Sequence, residues 1–499
     1  MNKVYLLNPD YVIRKDSHRY LLYNKLSCRY NSSTVLSLIH PIHAKVFSFF
    51  TERRTLSENI TLIANCLSLS EEDTQRLILP FLENENPVFL RYKTKKIKIP
   101  AHLLLEEKHI EGDYLPEKYQ VSEEDCKSEV DLVTKRLEIP RIITFMLTNT
   151  CCTKCCYCYA DTTTKVTTPL PTERILKLVR QAKEVGIYNI NLIGGEVFLH
   201  QHWDAILKEI IANGFSPDPL STKVPITESI ISRLKDTGYS KTLQLSIDTF
   251  LPELASQTLR VNANYVGEIK KGIDLLENSP YYYRIETVLT KSTATIENIQ
   301  NLYNYFSTKK HIKQWEVRVA MFSNNKDAEN FISIKSNRAT LDAVYDYVEK
   351  QLAPQAAFAI LSPRKELDTK YFSADAGSTS FKGSKCSALN EHFFILPDGK
   401  ATICEQLYWN PRFIIGDVSK SDLLDVWHSE RTMQLVNLKQ KDLQKKSACS
   451  ECKLFEDCFK KERNRCWSDI IKAYGTDCWD YPDPRCVYAP KMQNDITYK

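Results

Sequence analysis

The chain reads as an α/β protein built on a parallel sheet, with a smaller α+β unit before it and a cysteine-rich unit after it. Three observations predict this. Between residues 141 and 345 short apolar runs alternate with stretches of helical period. The first hundred residues mix extended runs with helix-start signals. Most of the sixteen cysteines gather in two places, one inside the alternating region and one in the last fifth of the chain.

In residues 1–105, VYLLN (4–8), YVIR (11–14) and HRYLLYN (18–24) suggest a small meander. Pro41 then opens a helix, Thr55-Leu56-Ser57-Glu58 is a capping box for a second, and Ser70-Glu71-Glu72-Asp73 starts a third. VFLRYKTKKIKI (88–99) returns as extended chain. Residues 106–140 are charged with little apolar periodicity and read as a linker or bridging helix.

The central region, 141–345, carries six strand candidates. These are IITFML (142–147), YNINLI (188–193), a weaker run in PLSTKV (219–224), LQLSI (243–247), YRIETVL (283–289) and WEVRVAM (315–321). Amphipathic helices separate them. In ERILKLVRQAKEV, Ile175, Leu176, Leu178, Val179, Ala182 and Val185 share one face, and Gly186 supplies the stop. Six βα units in sequence make a partial (β/α)6 barrel, whose sites lie at the C-terminal ends of its strands. Residues 346–385 bridge to a cysteine-rich unit, 386–499, in which KQKDLQKK (439–446) reads as a solvated helix end.

Composition narrows the functions. No run approaches about 18 apolar residues, so no membrane span is expected. MNKVYLLNPDYVIRKDSHRY has no apolar core behind a basic start, which argues against a signal peptide and for the cytoplasm. In a reducing compartment sixteen cysteines point to metal or redox chemistry rather than disulfides. A net charge of +5 is too small for this length to imply a polyanionic partner. Glycine is scarce, 13 in 499 residues against a usual share of about 7%, so a glycine pair stands out.

Cys28, Cys66 and Cys126 stand alone. TNTCCTKCCYCYAD (148–161) follows the first barrel strand directly and holds five cysteines. Cys151, Cys155 and Cys158 give C-x3-C-x2-C, three thiolates on one short loop that can wrap one face of an iron–sulfur cube and leave one iron open. Zinc prefers pairs of C-x2-C and closes four positions. Cys152 and Cys156 fit no second triad and read as packing residues.

LTNTCCTKCCYCY resembles the signature of radical S-adenosylmethionine (SAM) enzymes. The resemblance implies a [4Fe–4S] cluster on Cys151, Cys155 and Cys158, with SAM chelating the open iron. Gly194-Gly195-Glu196, the only Gly-Gly pair, ends the second strand. In the family this turn lets backbone approach the methionine moiety, and its acidic residue accepts from the SAM ammonium. Tyr157 matches the position that touches adenine, while Ser246 and Arg260 resemble contacts to ribose and carboxylate. One departure is plain: Ser221-Thr222-Lys223 stands where the family often carries Thr-Asn-Gly.

The C-terminal pattern C-x12-G-x4-C, from Cys386 through Gly399 to Cys404, followed by Cys449, Cys452 and Cys458 and by DPRC ending at Cys486, is similar to the SPASM extension, which binds two auxiliary [4Fe–4S] clusters. Carried over, Cys449, Cys452, Cys458 and Cys486 hold a distal cluster, and Cys386, Cys404 and Cys466 a proximal one. Seven residues, FKKERNR, separate Cys458 from Cys466 where the family usually has three, and Cys478 competes for the same role. A zinc ribbon on Cys449 and Cys452 is the alternative. Glu405 matches the acidic position that serves as base in sulfatase maturases.

Three strands and three helices at the N-terminus resemble the winged-helix leader-recognition (RRE) domain of peptide maturases, typified by the pyrroloquinoline-quinone peptide chaperone. Residues 1–100 carry 15 Lys and Arg against 9 Asp and Glu, which leans toward DNA. The third helix, however, opens on three carboxylates where phosphates would lie. A peptide added to the sheet edge fits better, with no nucleic-acid and no membrane partner.

Together these resemblances imply a radical SAM/SPASM oxidoreductase that abstracts hydrogen from a ribosomally made precursor peptide and installs a thioether, C–C or C–O cross-link. Its cofactors are SAM and three [4Fe–4S] clusters, and an external donor such as flavodoxin or ferredoxin supplies electrons. The alternatives are a sulfatase-maturase-like protein oxidase, an epimerase using Cys152, Cys156 or Cys478 as hydrogen donor, and a non-enzymatic metal-binding DNA regulator.

Overall fold

A computed structural model describes residues 2–24, 37–93, 95–364, 367, 386–462 and 465–498; Cys28 lies outside them, as does most of 365–385. The chain divides into two compact units, Met1–Glu138 and Ile139–Lys499.

In the first unit β1 (Tyr5–Leu7), expected to open the meander, leaves it. It pairs antiparallel with β7 (Leu104–Glu106), Tyr5 opposite Glu106, and Lys3 Nζ lies 2.8 Å from the Glu106 carboxylate. The three-stranded antiparallel sheet is instead β2 (Tyr11–Asp16), β3 (Arg19–Asn24) and β4 (Ser37–Ile39), with β3 central. Three helices follow: α1 (Pro41–Ser48), α2 (Leu56–Leu67) and α3 (Glu71–Ile78). All three start where the sequence places them. Thr55 N–H donates to Glu58 Oε2 at 2.8 Å and Glu58 N–H to Thr55 Oγ1 at 3.3 Å, so the capping box at α2 is closed. Strands β5 (Val88–Tyr92) and β6 (Lys95–Ile99) form a hairpin. Leu21, Leu22, Ile39, Phe47, Phe50 and Ile63 make the core.

Residues 107–138, which include the short helix α4 (Glu123–Lys127), fold onto this unit through polar bonds. Buried Arg19 pairs with Asp16 at 2.9 Å and donates to the carbonyls of Asp131 (3.0 Å) and Thr134 (2.6 Å). Asp16 Oδ1 accepts from Glu138 N–H at 2.9 Å, and Tyr119 Oη donates to Ala44 O at 2.8 Å. A strap held by backbone carbonyls needs no apolar period, which is why it reads as a linker.

In the second unit all six expected strands form: β8 (Ile142–Met146), β9 (Asn189–Ile193), β10 (Leu220–Thr222), β11 (Leu243–Ser246), β12 (Tyr283–Leu289) and β13 (Ile312–Val319). They are divided between two five-stranded sheets. One is wholly parallel and runs from β10 through β13 to β14 (Ala359–Leu361). In the other, β15 (His392–Ile395) adds parallel to β8, so the cysteine-rich region continues the barrel sheet. Strands β16 (Lys400–Thr402) and β17 (Ile414–Asp417) then extend it antiparallel. Between β8 and β9 lies α5 (Thr172–Glu184), which buries Ile175, Leu178, Val179 and Ala182; Gly186, at φ +83°, ends the turn that follows. Helices and both sheets share one core, in which Trp203, Trp315 and Trp427 are fully buried. No described helix is long and apolar enough to cross a membrane.

Candidate functional site

The cysteine loop leaves β8 at the C-terminal end of the barrel and is pinned on two sides. Leu147 N–H donates to Ile193 O at 2.9 Å and Gly195 N–H to Thr148 O at 2.7 Å, stitching its start to the end of β9. On the other side Lys154 N–H donates to Leu259 O (2.8 Å) and Cys156 N–H to Thr258 O (2.9 Å), the last carbonyls of α6 (Pro252–Leu259). Thr153 Oγ1 lies 3.4 Å from Cys151 Sγ and 3.2 Å from Cys155 Sγ. Burial pushes Cys158 up to about 11, and the charges of Cys155 and Cys151 add to the shift. Burial likewise raises Cys155. Cluster ligation needs thiolates, and iron supplies the positive charge that burial withholds.

Cys152 is exposed rather than packed, contrary to expectation. Cys152 is nevertheless the leading cause that pulls Cys151 down, to about 5, against burial. Cys156 is half-buried, its thiol raised by burial and then by Cys155.

The glycine pair is required by the chain's own packing. A Cβ on Gly195 would lie 2.5 Å from Thr150 O and 2.7 Å from Asn149 O, and one on Gly194 would lie 2.9 Å from Thr148 O. Only glycine lets the end of β9 lie against the backbone that carries the thiols.

Glu196 is buried beneath the loop, and its carboxyl is occupied by backbone donors: Oε2 accepts from Lys223 N–H at 2.8 Å and Oε1 from Phe198 N–H at 3.4 Å. Burial pushes it up to about 7; the nearby Cys151 charge acts the same way, while the two N–H bonds and Thr222 oppose. Tyr157 donates its hydroxyl to Asp248 Oδ2. Ser246 ends β11 and offers its carbonyl to Lys223 Nζ at 3.2 Å. Arg260 is an exposed left-handed cap at φ +58°, one residue past the carbonyl that holds Lys154.

Sequence reasoning missed the pair that ties these residues together. Lys223, noted only as a departure, places Nζ 3.2 Å from Asp248 Oδ2 and 5.7 Å from the centre of the Tyr157 ring. Asp248 is fully buried, and its Oδ1 accepts from Val288 N–H at 2.8 Å. Burial opposes the Lys223 charge, but Asp248, Cys155 and Tyr265 outweigh it and push the ammonium pKa up. A largely buried cation therefore stands beside the cluster loop. Asp248 sits two residues beyond a strand end, a position whose sequence signal is an acid following an apolar run.

The C-terminal thiols fall into two groups. Burial raises Cys386, Cys404 and Cys466, with Cys404 reaching about 12; Cys404 and Cys466 each feel Cys386. Asp469, Asp483 and Arg485 surround Cys386 and Cys466, and Lys472 approaches Cys404. Cys449, Cys452 and Cys486 all act on Cys458, which burial pushes up to about 11. Cys478 keeps other company: its Sγ lies 3.9 Å from Lys446 Nζ and its carbonyl accepts from Tyr481 N–H at 3.0 Å, while Cys466 is the one that feels Cys386. Among the described residues no three His, Cys, Asp or Glu side chains are arranged to hold a single metal ion. The donor chemistry, three groups of soft thiols, suits iron–sulfur cubes. Glu405 lies beside the first loop as well as Cys404: its charge is the leading cause of the rise in Tyr159, the residue after Cys158, and it also raises Tyr408.

Comparison with known proteins agrees with this geometry. The Radical SAM superfamily matches residues 145–285, and the SPASM iron–sulfur cluster-binding domain matches residues 386–453. GTP 3′,8-cyclase of Sulfurovum sp. is 29% identical over 137 residues, 26% of this chain and 40% of that protein. A probable GTP 3′,8-cyclase of Methanothermobacter marburgensis is 27% identical over 128 residues, 26% of this chain and 41% of that protein. The chain thus spans about two fifths of the length of these curated relatives. Streptococcus suis SuiB shares the fold with a TM-score of 0.59 at 16% identity, over 96% of this chain and 99% of its own. SuiB bound to the precursor peptide SuiA gives the same score and identity over 98% and 100%. The chain thus carries a stretch that matches the Radical SAM superfamily, residues 145–285, followed by one that matches the SPASM iron–sulfur cluster-binding domain, residues 386–453, domains that take SAM and [4Fe–4S] clusters as cofactors.

Proposed function

We propose that this enzyme matures a ribosomally made precursor peptide, installing a thioether, C–C or C–O cross-link. The observation that carries the reading is whole-chain likeness: both units share a fold with a protein solved with its precursor peptide bound. In this reading Cys151, Cys155 and Cys158 hold the first cluster, with Tyr157, Gly194, Gly195, Glu196, Ser246 and Arg260 around SAM. Cys386, Cys404 and Cys466 hold the proximal cluster, and Cys449, Cys452, Cys458 and Cys486 the distal one. When bound, these groups supply hydrogen-atom abstraction and one-electron transfer. The chain's residues position them, and Glu405 takes the proton released as the new bond forms. A flavodoxin or ferredoxin is the external donor.

The first unit is the leader-recognition domain. Its sheet, three helices and β5–β6 hairpin have winged-helix content, and among the described residues β2 is flanked only by β3, which offers an edge to an added peptide strand. Glu71, Glu72 and Asp73 occupy the first turn of α3, which disfavours phosphate contacts.

Deleting residues 1–138 tests this. Co-expressed with the small open reading frames beside its gene, the full-length enzyme is expected to give a peptide lighter by hydrogen pairs in mass spectrometry. The truncated enzyme keeps SAM cleavage and loses processing on the order of 100-fold, because a remote tether is gone. Equal processing by both would remove leader recognition.

A further inference from the structure

Two Arg-Cys pairs, Arg465-Cys466 and Arg485-Cys486, cross between the two C-terminal thiol groups. Each cysteine belongs to one group, and the guanidinium next to it in sequence is turned to the other. Arg485 precedes distal Cys486, but it meets the carboxylate of Asp483, whose Oδ2 also accepts from proximal Cys466 N–H at 2.9 Å. There it is neutralised by Asp483 at 2.7 and 2.8 Å and by Asp469 at 3.1 Å.

Arg465 precedes proximal Cys466, but its Nη1 shares the Asp480 carbonyl with Ser447 Oγ, and that Oγ accepts from distal Cys449 N–H at 3.3 Å. It is 6% exposed and has no ion pair among the described residues. Nη1 donates to Asp480 O at 2.9 Å, and the guanidinium stacks 4.9 Å from the centre of the Phe459 ring. Nε and Nη2 are buried without a hydrogen-bond partner. An ionised guanidinium with two unused N–H groups is costly to bury unless an acceptor meets them.

We infer that Arg465 donates these N–H groups to the cluster held by Cys449, Cys452, Cys458 and Cys486, and that its charge raises the reduction potential of that cluster. This rests on the reading of those four cysteines as ligands. Hydrogen bonds to sulfur and nearby positive charge both raise iron–sulfur potentials. The two groups differ in a way that gives the charge a use. The proximal group has three thiolates and a paired arginine; the distal one has four thiolates and an arginine with no ion pair among the described residues. Arg465 offsets the extra thiolate, and the long FKKERNR spacing between Cys458 and Cys466 is what supplies it.

The test is a potentiometric titration followed by electron paramagnetic resonance on the full-length, anaerobically reconstituted enzyme. The signal that vanishes in Cys458→Ala identifies the distal cluster. Arg465→Met is expected to lower its midpoint by at least 59 mV, the one-electron equivalent of a tenfold shift, with unchanged iron. Arg465→Lys keeps both potential and iron close to wild type. Distal iron lost in the Met variant while the Lys variant stays intact supports the same role. An unchanged midpoint in a fully loaded Arg465→Met overturns the inference, and so does loss of iron in both variants, which would assign Arg465 to folding. Wild-type iron in Cys458→Ala would remove the ligand assignment instead.

Discussion

Replacing Cys151, Cys155 or Cys158 by Ala is expected to abolish 5′-deoxyadenosine formation, while Cys152→Ala and Cys156→Ala are expected to retain it. The three thiols share one pinned loop, and losing one opens a second iron where only one is to be left for SAM. Thr153, between Cys151 and Cys155, orients two thiols but offers no replacement ligand. Cys152 is exposed and acts on the set by lowering the pKa of Cys151, so its removal costs a helper rather than a ligand. Chromatographic assay of 5′-deoxyadenosine in reconstituted, reduced enzyme checks this. Sustained formation by Cys155→Ala would remove the ligand assignment.

The second large effect separates SAM cleavage from product. Cys386, Cys404 and Cys466 replaced together by Ala should lose about four iron atoms per chain, still form 5′-deoxyadenosine, and give no cross-linked peptide. Forming a bond from a carbon-centred radical requires an electron to leave, and these thiols lie closer to the first loop than their sequence distance suggests. Glu405, next to Cys404, acts on Tyr159, next to Cys158. Iron counting and peptide mass spectrometry on one sample make the measurement. Normal product from the triple variant would show that this site is not the electron acceptor.

Local signals were legible in the sequence. The caps at Thr55 and Ser70, the apolar face of α5 and all six barrel strands follow from spacing and period, because each depends on residues a few positions apart. What stayed hidden depends on distant partners. The pairing of β1 with β7 spans about a hundred residues and leaves only short apolar runs as a trace. The strap over the first unit hangs on Arg19 and backbone carbonyls, which carry no sequence mark. The addition of β15 to β8 joins segments separated by the whole barrel. At the site the cysteines announce themselves by spacing, but the reason for the glycine pair does not, since the atoms a Cβ would strike belong to residues 148–150. Lys223 and Asp248 meet only because β10 and β11 are neighbours in register.

Hydrogen abstraction from a peptide is tested most directly by isotope transfer. The precursor peptide, deuterated at its aliphatic carbons, is incubated with reconstituted enzyme, reductant and SAM, and the 5′-deoxyadenosine formed is weighed by mass spectrometry. Deuterium is expected in the 5′-deoxyadenosine, in step with loss of hydrogen pairs from the peptide. Cross-linked peptide accompanied by unlabelled 5′-deoxyadenosine, or labelled peptide left unchanged while 5′-deoxyadenosine accumulates, would contradict a peptide C–H bond as the target.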